Sequence, residues 1–381
     1  MVNIFNITDY GAVADGKTDC TKAIQTAIDE AAKVQGEVFV PAGVFLCGYL
    51  KLHANTTIKG VATWGYRRNG GSVLKLNDKN AKCMLDITGA FDCNISGLCL
   101  DGDYLGENIN GIMMVKKSHC EFGVEDTPKI ENCRISNFSG NGVHYHNVWC
   151  FSIRHSEMGY NKGHGMYMQG CDGFIIDCWF SDNYKSGFYA TKQTASLSFT
   201  ANRFECNKFA GFEGKSGSYM TFTGNYFDAN HGPGILLDPV GEFRVNVTVT
   251  GNIFFRDGLL SDRNKEKADE YKDTPIYEYL SSHIYMEKCA NFTIVGNTFN
   301  VGSPKGDEIA QPYYGIVYKK LKSCVIKDNV MQSGSGKANL VDLGCHEDGV
   351  IVKDNVGEIL TDYRCHWPMF SDQYEEREKN V

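Results

Sequence analysis

No stretch of this chain approaches the roughly 20 consecutive apolar residues that span a bilayer as a helix. No Cys-x-x-Cys pair occurs anywhere in its 381 residues. The first absence argues against a helical membrane protein, and the second removes the usual zinc-ribbon and dithiol redox sites. Histidine and cysteine lack zinc-ligand spacing, and no Asp-rich loop offers the converging oxygens that calcium needs, so neither a metal nor another cofactor is expected. Positive charge is also short: 38 Lys and Arg face 46 Asp and Glu, for a net charge of −8. Capture of nucleic acid or an anionic membrane is therefore not expected. The opening MVNIFNITDYGAVADG has no charged segment followed by an apolar one, so a cytoplasmic location is expected, or secretion if a leader has been removed. No Pro-, Ser- or charge-rich linker divides the chain, which predicts one domain over residues 1–365 and a charged tail over 366–381.

What is present in quantity is cysteine, 15 residues of it, and a repeated phrase. Cys133, Cys178, Cys206, Cys289 and Cys324 sit in or beside strand-like segments, where a thiol behaves as a small hydrophobe, so core packing is their expected role. The phrase opens on glycine: GIMMVKK (111), GVHYHNV (142), GMYMQGC (165), GFYATKQ (187), GFEGKSG (211) and GILLDPV (234), continued by HIYMEKC (283) and GIVYKKL (315). Each copy is followed by a second strand and an Asn-containing turn. Most copies lie about 22 to 27 residues apart, the length of one coil of a β-solenoid. One such coil cannot bury its apolar face alone; stacked coils do so by forming parallel sheets along a common axis. Asn202, Asn225, Asn252, Asn297, Asn329 and Asn355 recur at one phase, which predicts an asparagine ladder at a tight bend.

Ahead of the coils, TDCTKAIQTAIDEAAKVQG predicts one amphipathic helix with Ala23, Ile24, Ala27, Ile28 and Ala31 on a single face and Gly36 at its end. Within a cap of about residues 1–40, that helix would close the open N-terminal edge of the solenoid. The predicted fold is therefore all-β, a right-handed parallel β-helix with an N-terminal capping α-helix. One interruption, about residues 256–281, is highly charged and must project as a loop, a lid or binding loop beside the coils that open at 234 and 283.

The opening FNITDYGAVADGKTDCTKAIQTAIDEA…GEVFVPAGVFLCGYLKLHANTTIKG resembles that of the pectin-lyase-like right-handed parallel β-helix enzymes, especially polygalacturonase-like glycosidases and their relatives. Over the later coils the resemblance is one of repeat pattern. It implies a carbohydrate substrate, and it fixes fold more firmly than reaction, since hydrolases, lyases, epimerases, fructotransferases and non-catalytic tailspike domains share the architecture. Some relatives form trimers, so the insertion is alternatively a subunit contact in a homo-oligomer. NKGHGMY (161–167) looks like the Gly-His-Gly motif of polygalacturonases, but their Asn-Thr-Asp and paired-aspartate motifs are missing. His164 is accordingly read as part of the repeat's own turn.

Strand alternation sorts the side chains. The residue after each opening glycine is apolar and points inward. The residues two and four places after it point outward, giving one column of Met113, His144, Tyr167, Tyr189, Glu213, Leu236, Tyr285 and Val317. The second column holds Val115, His146, Gln169, Thr191, Lys215, Asp238, Glu287 and Lys319. Aromatic rings suit sugar faces, so His144, His146, Tyr167, Gln169, Tyr189, Lys215, Tyr285 and Lys319 are candidate substrate contacts. Asp238, Glu287 and Glu213 are the candidate catalytic carboxylates. Asp238 and Glu287 are expected about one strand spacing apart, near the roughly 5 Å of a retaining pair. Glu213 and Asp238 are expected roughly 8 Å apart, within the roughly 6.5–9.5 Å of an inverting pair. Metal-independent cleavage of a glycosidic bond by these acids is the leading expectation. The alternatives are intramolecular fructosyl transfer, as in inulin fructotransferases, and a uronate lyase or epimerase in which Lys215 or Lys319 removes the C5 proton. A non-catalytic glycan-binding module is a further one, in which Lys215, Asp238, Glu287 and Lys319 are only a self-neutralising surface ladder.

Overall fold

The computed structural model describes residues 3–191, 193–215, 217–237, 244–258, 270–301 and 312–360. Their strands pair in parallel along the whole chain, each residue bonded to its counterpart one coil away. Long strands such as Val143–Arg154, Met166–Ile176, Ser282–Val295 and Tyr314–Lys327 run around a corner. They thereby join the first two faces of the coil into one sheet of 20 strands, while a third face forms a sheet of 11. This is the expected β-helix, and its register matches the glycine-opened repeat. Ile112, Val143, Met166, Phe188, Phe212, Ile235, Ile284 and Ile316 all point inward and are fully buried.

Stacked coils bring like side chains over like. Phe204, Phe227, Phe254 and Phe299 form a column with ring centroids 4.8 Å apart at each step. That distance is the strand spacing itself, so one repeat length sets both the backbone bonds and the ring stack. Burial of each ring contributes roughly 1.5–3 kcal/mol, with about 0.5–1.5 kcal/mol more for the aromatic pair.

The asparagine ladder is present. Each Nδ2 donates to the next Oδ1, from Asn202 to Asn225 (3.0 Å), Asn252 (3.0 Å), Asn297 (2.9 Å), Asn329 (3.0 Å) and Asn355 (2.8 Å). A second ladder runs at another bend through Asn161, Asn183, Asn207 and Asn230 and ends on Asp257, 2.8 Å from Asn230 Nδ2. Its signal is in the sequence, an Asn four places before each of Gly165, Gly187, Gly211 and Gly234.

The capping helix spans Thr21–Ala32 and buries Ile24, Ala27, Ile28 and Ala31, with Ala23 half-buried beside them. Its end differs in detail from expectation. Gln35, not Gly36, takes the left-handed conformation (φ 52°), while Gly36 donates its N–H to Ala31 O and leaves room that a Cβ would fill against Asn3 O and Phe5. The cysteines behave as small hydrophobes: Cys133, Cys178, Cys289 and Cys324 are buried, Cys206 is half-buried, and the described cysteines are free thiols.

Candidate functional site

The outer face of the first sheet carries the predicted column in register. It begins two coils earlier than the repeat alignment did: Lys51 pairs with Asp86, Asp86 with Met113, and Met113 with His144. From there it continues through Tyr167, Tyr189, Glu213, Leu236, Tyr285 and Val317. In the neighbouring column Val115, His146 and Gln169 pair in turn, as do Glu287 and Lys319.

The column divides into an open half and a covered half. In the open half, His144 lies flat on Tyr167, with centroids 4.4 Å apart and planes 3° apart. Tyr189 follows at 5.6 Å from Tyr167 and is itself stacked on His164 at 4.5 Å. His144, His146, Tyr167, Gln169 and Tyr189 are half-buried, each with one side toward solvent. His164 is buried, and its Nδ1 accepts the Ser186 N–H at 3.2 Å. The position expected to be structural is thus the wall against which Tyr189 rests.

Asn141 fixes the state of His144. Its Oδ1 accepts the His164 N–H at 2.9 Å, and its Nδ2 donates to Asn110 Oδ1 at 3.1 Å. The same Nδ2 is 3.2 Å from His144 Nδ1, which must therefore accept, leaving the imidazole proton on Nε2. Burial, with the neighbouring His146 charge adding to it, pushes the His144 pKa down to about 4. At neutral pH His144 is a neutral imidazole with Nε2–H as its free donor.

Upstream, Asp86 collects cations. Tyr49 donates its hydroxyl to Oδ2 at 2.8 Å, and Lys51 and Lys82 lie 3.2 and 3.3 Å away. Burial alone would raise this carboxyl, but the Thr88 backbone and hydroxyl, Tyr49 and Lys51 outweigh it and hold it at about 2. Lys82, with its side chain 62% exposed, is the cation turned toward solvent. This cluster escaped the sequence reading because CMLD (83–86) lacks the opening glycine on which the copies were aligned.

The covered half corrects the expectation of an exposed acidic face. Tyr271, Ile276 and Leu280, from the end of the insertion, pack on Phe209, Ala210, Leu236, Tyr285 and Val317. Tyr285, an expected substrate contact, is 1% exposed, and Glu213 is fully buried. Glu213 accepts from Ser186 Oγ at 2.5 Å and from the Tyr271 hydroxyl at 3.0 Å, with Lys215 Nζ 3.4 Å away. Lys215 also reaches the Tyr271 hydroxyl and sits 4.3 Å from the centre of that ring. Glu287 is nearly buried, held by the Tyr285 hydroxyl at 3.1 Å and by Lys320 at 3.1 Å. Half-buried Lys319 is its register partner. Leu236 separates the coils of Glu213 and Glu287, which puts them about two strand spacings, roughly 10 Å, apart along the axis. Asp238, the first candidate acid, lies outside the described residues, as do 259–269 of the insertion and the tail at 366–381.

Comparison with known proteins agrees with this architecture. The family model described as "Right handed beta helix region" matches residues 110–271. Mannuronan C5-epimerase AlgE5 of Azotobacter vinelandii is 28% identical over 264 residues, covering 61% of this chain and 24% of that protein. Plasmin and fibronectin-binding protein A of Streptococcus pneumoniae (strain ATCC BAA-255 / R6) is 22% identical over 405 residues, covering 92% of this chain and 53% of that protein. The chain thus spans about a quarter to a half of the length of these curated relatives. Among solved structures, the A-module of mannuronan C-5 epimerase AlgE6 of Azotobacter vinelandii superposes with a TM-score of 0.71 at 16% identity, covering 94% of this chain and 100% of that one. A DFA-IIIase of Arthrobacter chlorophenolicus A6 gives 0.62 at 14% identity, covering 96% and 98%. The chain has the right-handed parallel β-helix fold, with a family-model match over residues 110–271 and the same coil architecture in these solved structures.

Proposed function

We propose that the chain is a carbohydrate-active enzyme that removes the C5 proton of a uronate residue in a polysaccharide, leading to epimerisation or β-elimination. The observation that carries this reading is the neutral His144, held with Nε2–H outward, in a groove with a second imidazole on the same strand. A proton α to a carboxylate is acidic enough to remove only if the charge that develops on the carboxylate is stabilised as it forms. A neutral imidazole donor supplies that stabilisation without the cost of burying a cation.

In this reading His144 Nε2–H donates to the uronate carboxylate. His146, half-buried on the same strand, accepts the C5 proton. The electron pair left on C5 moves into the carboxylate. If the Tyr167 hydroxyl then returns a proton to the opposite face of C5, the residue is epimerised. If instead the bond from C4 to its glycosidic oxygen breaks, the leaving oxygen takes that proton and an unsaturated uronate remains. Lys82, beside Asp86, offers its ammonium to the carboxylate of a neighbouring residue along the groove. The similarity to mannuronan C5-epimerases, and to Alginate lyase 7 of Azotobacter vinelandii at 34% identity over 114 residues, supports a uronan over a neutral polymer.

The alternative, glycosidic cleavage by Asp238 paired with Glu287 or Glu213, turns on Asp238, which lies outside the described residues, so only its two expected partners bear on it here. Glu213 is sealed under Tyr271, and Glu287 stands two coils beyond it. The test is to incubate the protein with polymannuronate, polyguluronate and polygalacturonate and to weigh and scan the products. Polymer of unchanged mass with altered C5 configuration, or fragments absorbing as unsaturated uronates, supports the proposal. Fragments each heavier by one water, with no unsaturation, would return the assignment to a hydrolase.

A further inference from the structure

A hairpin interrupts the coil between Thr57–Gly60 and Ser72–Leu76. It leaves the body through an antiparallel neck, Ala62 with Gly71, and turns back at Gly65 and Arg68. Gly71 is required at the neck: its φ is +66°, and a Cβ there would lie 1.7 Å from Val61 O. The hairpin then runs down the axis over the corner between the second and third faces of the coil. Trp64 Nε1 donates to Asn132 O at 2.9 Å, and the Tyr66 ring meets Trp179 at 6.3 Å. Asn69 ties its base down by accepting from Arg134 (2.6 Å) and donating to Asp101 (2.9 Å). Arg134 is itself buried and held by Glu157 at 3.0 Å. So many anchors on a hairpin of this length hold one geometry.

Beneath it is a cavity of about 780 Å³. This lies within the roughly 300–1,000 Å³ typical of small-molecule sites. Its floor is a register ladder, Ser96 to Glu131 to Arg154 to Ile176, and so extends about 14 Å along the axis. Trp64 and Trp179 are two of its walls, both half-buried. Glu131, Arg154, His155 and Asp177 are its charged or ionisable lining residues, with His155 Nδ1 paired to Asp177 Oδ2 at 2.6 Å.

We infer that this cavity, around the corner of the coil from the groove at His144, is a second glycan site that takes a short oligosaccharide of neutral sugars. Indole faces offer flat apolar surface to the C–H faces of a pyranose, and carboxylate, guanidinium and imidazole groups at the edges accept from and donate to vicinal hydroxyls. The charges set the class. Two carboxylates, Glu131 and Asp177, face the single guanidinium of Arg154, so the site has no surplus of positive charge with which to hold a uronate. The site is independent of the groove chemistry, since its residues come from another face of the solenoid.

Trp64 and Trp179 are two of the four tryptophans in the chain, so intrinsic emission reports on the cavity. The full chain is titrated with cellohexaose, xylohexaose, maltohexaose and, for contrast, hexamannuronate, and the titrations are repeated on Trp179→Ala and Arg154→Ala. The expected result is a saturable emission change with at least one neutral hexaose, weakened at least tenfold in both variants, while turnover of uronan in the groove is unchanged. Arg154 is exposed, so its variant keeps the test decisive if Trp179→Ala does not fold. No saturable change with any neutral hexaose, equal affinity in Arg154→Ala, or tighter binding of hexamannuronate would overturn the inference.

Discussion

Asn141 Nδ2 stands 3.2 Å from His144 Nδ1, and the amide cannot turn over, because its Oδ1 is already committed to the His164 N–H at 2.9 Å. One asparagine therefore decides which nitrogen of the groove imidazole carries the proton. Protonating His144 would set two donors against each other, which adds to the burial that keeps its pKa near 4.

A stability difference with pH follows. His144 has its folded pKa depressed from 6.5 to about 4, so between those values the unfolded chain binds a proton that the folded chain does not. Stability therefore falls as pH drops from 6.5 towards 4, by up to roughly 2–3 kcal/mol for this residue. Buried His283, lowered to about 3, adds a loss of the same sign. Urea unfolding of wild type and His144→Gln at pH 7 and pH 4.5 isolates the first contribution, with a shallower decline expected in the variant.

Glu213 and Tyr271 separate the two enzymatic readings. If the hydroxyl bond between them only fastens the insertion to the sheet, Tyr271→Phe lowers stability by roughly 1–3 kcal/mol by leaving Glu213 short of a donor. Glu213→Gln then keeps turnover within about tenfold of wild type, below the roughly 10²–10⁴-fold contributed by a general acid or base. Thermal unfolding and steady-state turnover on both variants check this. A larger loss of turnover in a stably folded Glu213→Gln would assign the carboxylate to the chemistry.

Lys82 acts on binding. Reversing its charge in Lys82→Glu is expected to raise KM for a polyuronate several-fold with kcat nearly unchanged, since the ammonium meets ground state and transition state alike. The difference should shrink as salt is added. Turnover measured at low and high ionic strength tests both statements.

The ladder at the bend carries its own prediction. Asn252 accepts two bonds from Asn225 and donates to Phe222 O and Asn297 Oδ1. Replacing it by alanine strands several buried partners, at a cost of roughly 1–3 kcal/mol for each unmet group. Asn355, half-buried at the end of the row, should cost markedly less. Denaturant midpoints of Asn252→Ala and Asn355→Ala give the comparison.

Much of this architecture is legible in the chain because a solenoid turns sequence period into spatial register. Ile112 to Ile316 as a buried column, and Met113 to Val317 as its outward neighbour, follow from glycine-anchored alignment alone. The state of the outward column is a different matter. Tyr285 and Leu236 point away from the lumen as alternation requires, yet they are buried, because Tyr271, Ile276 and Leu280 of a non-repeating segment fold over them. Period-two reasoning sees one sheet and not what another segment lays upon it. Asp86 and the second asparagine ladder were missed for a simpler reason: their signals lay in register but outside the phrase on which the copies were aligned.

The central claim concerns one proton. Polymannuronate incubated in deuterium oxide with wild-type protein should gain deuterium at C5 wherever a residue is epimerised, and lose the C5 hydrogen to a C4–C5 double bond wherever one is eliminated, both read by proton NMR of the recovered products. His146→Gln should slow that incorporation by at least about 10²-fold while still binding the polymer. Incorporation at the wild-type rate in His146→Gln, or products formed by wild type with protium fully retained at C5, would contradict the account.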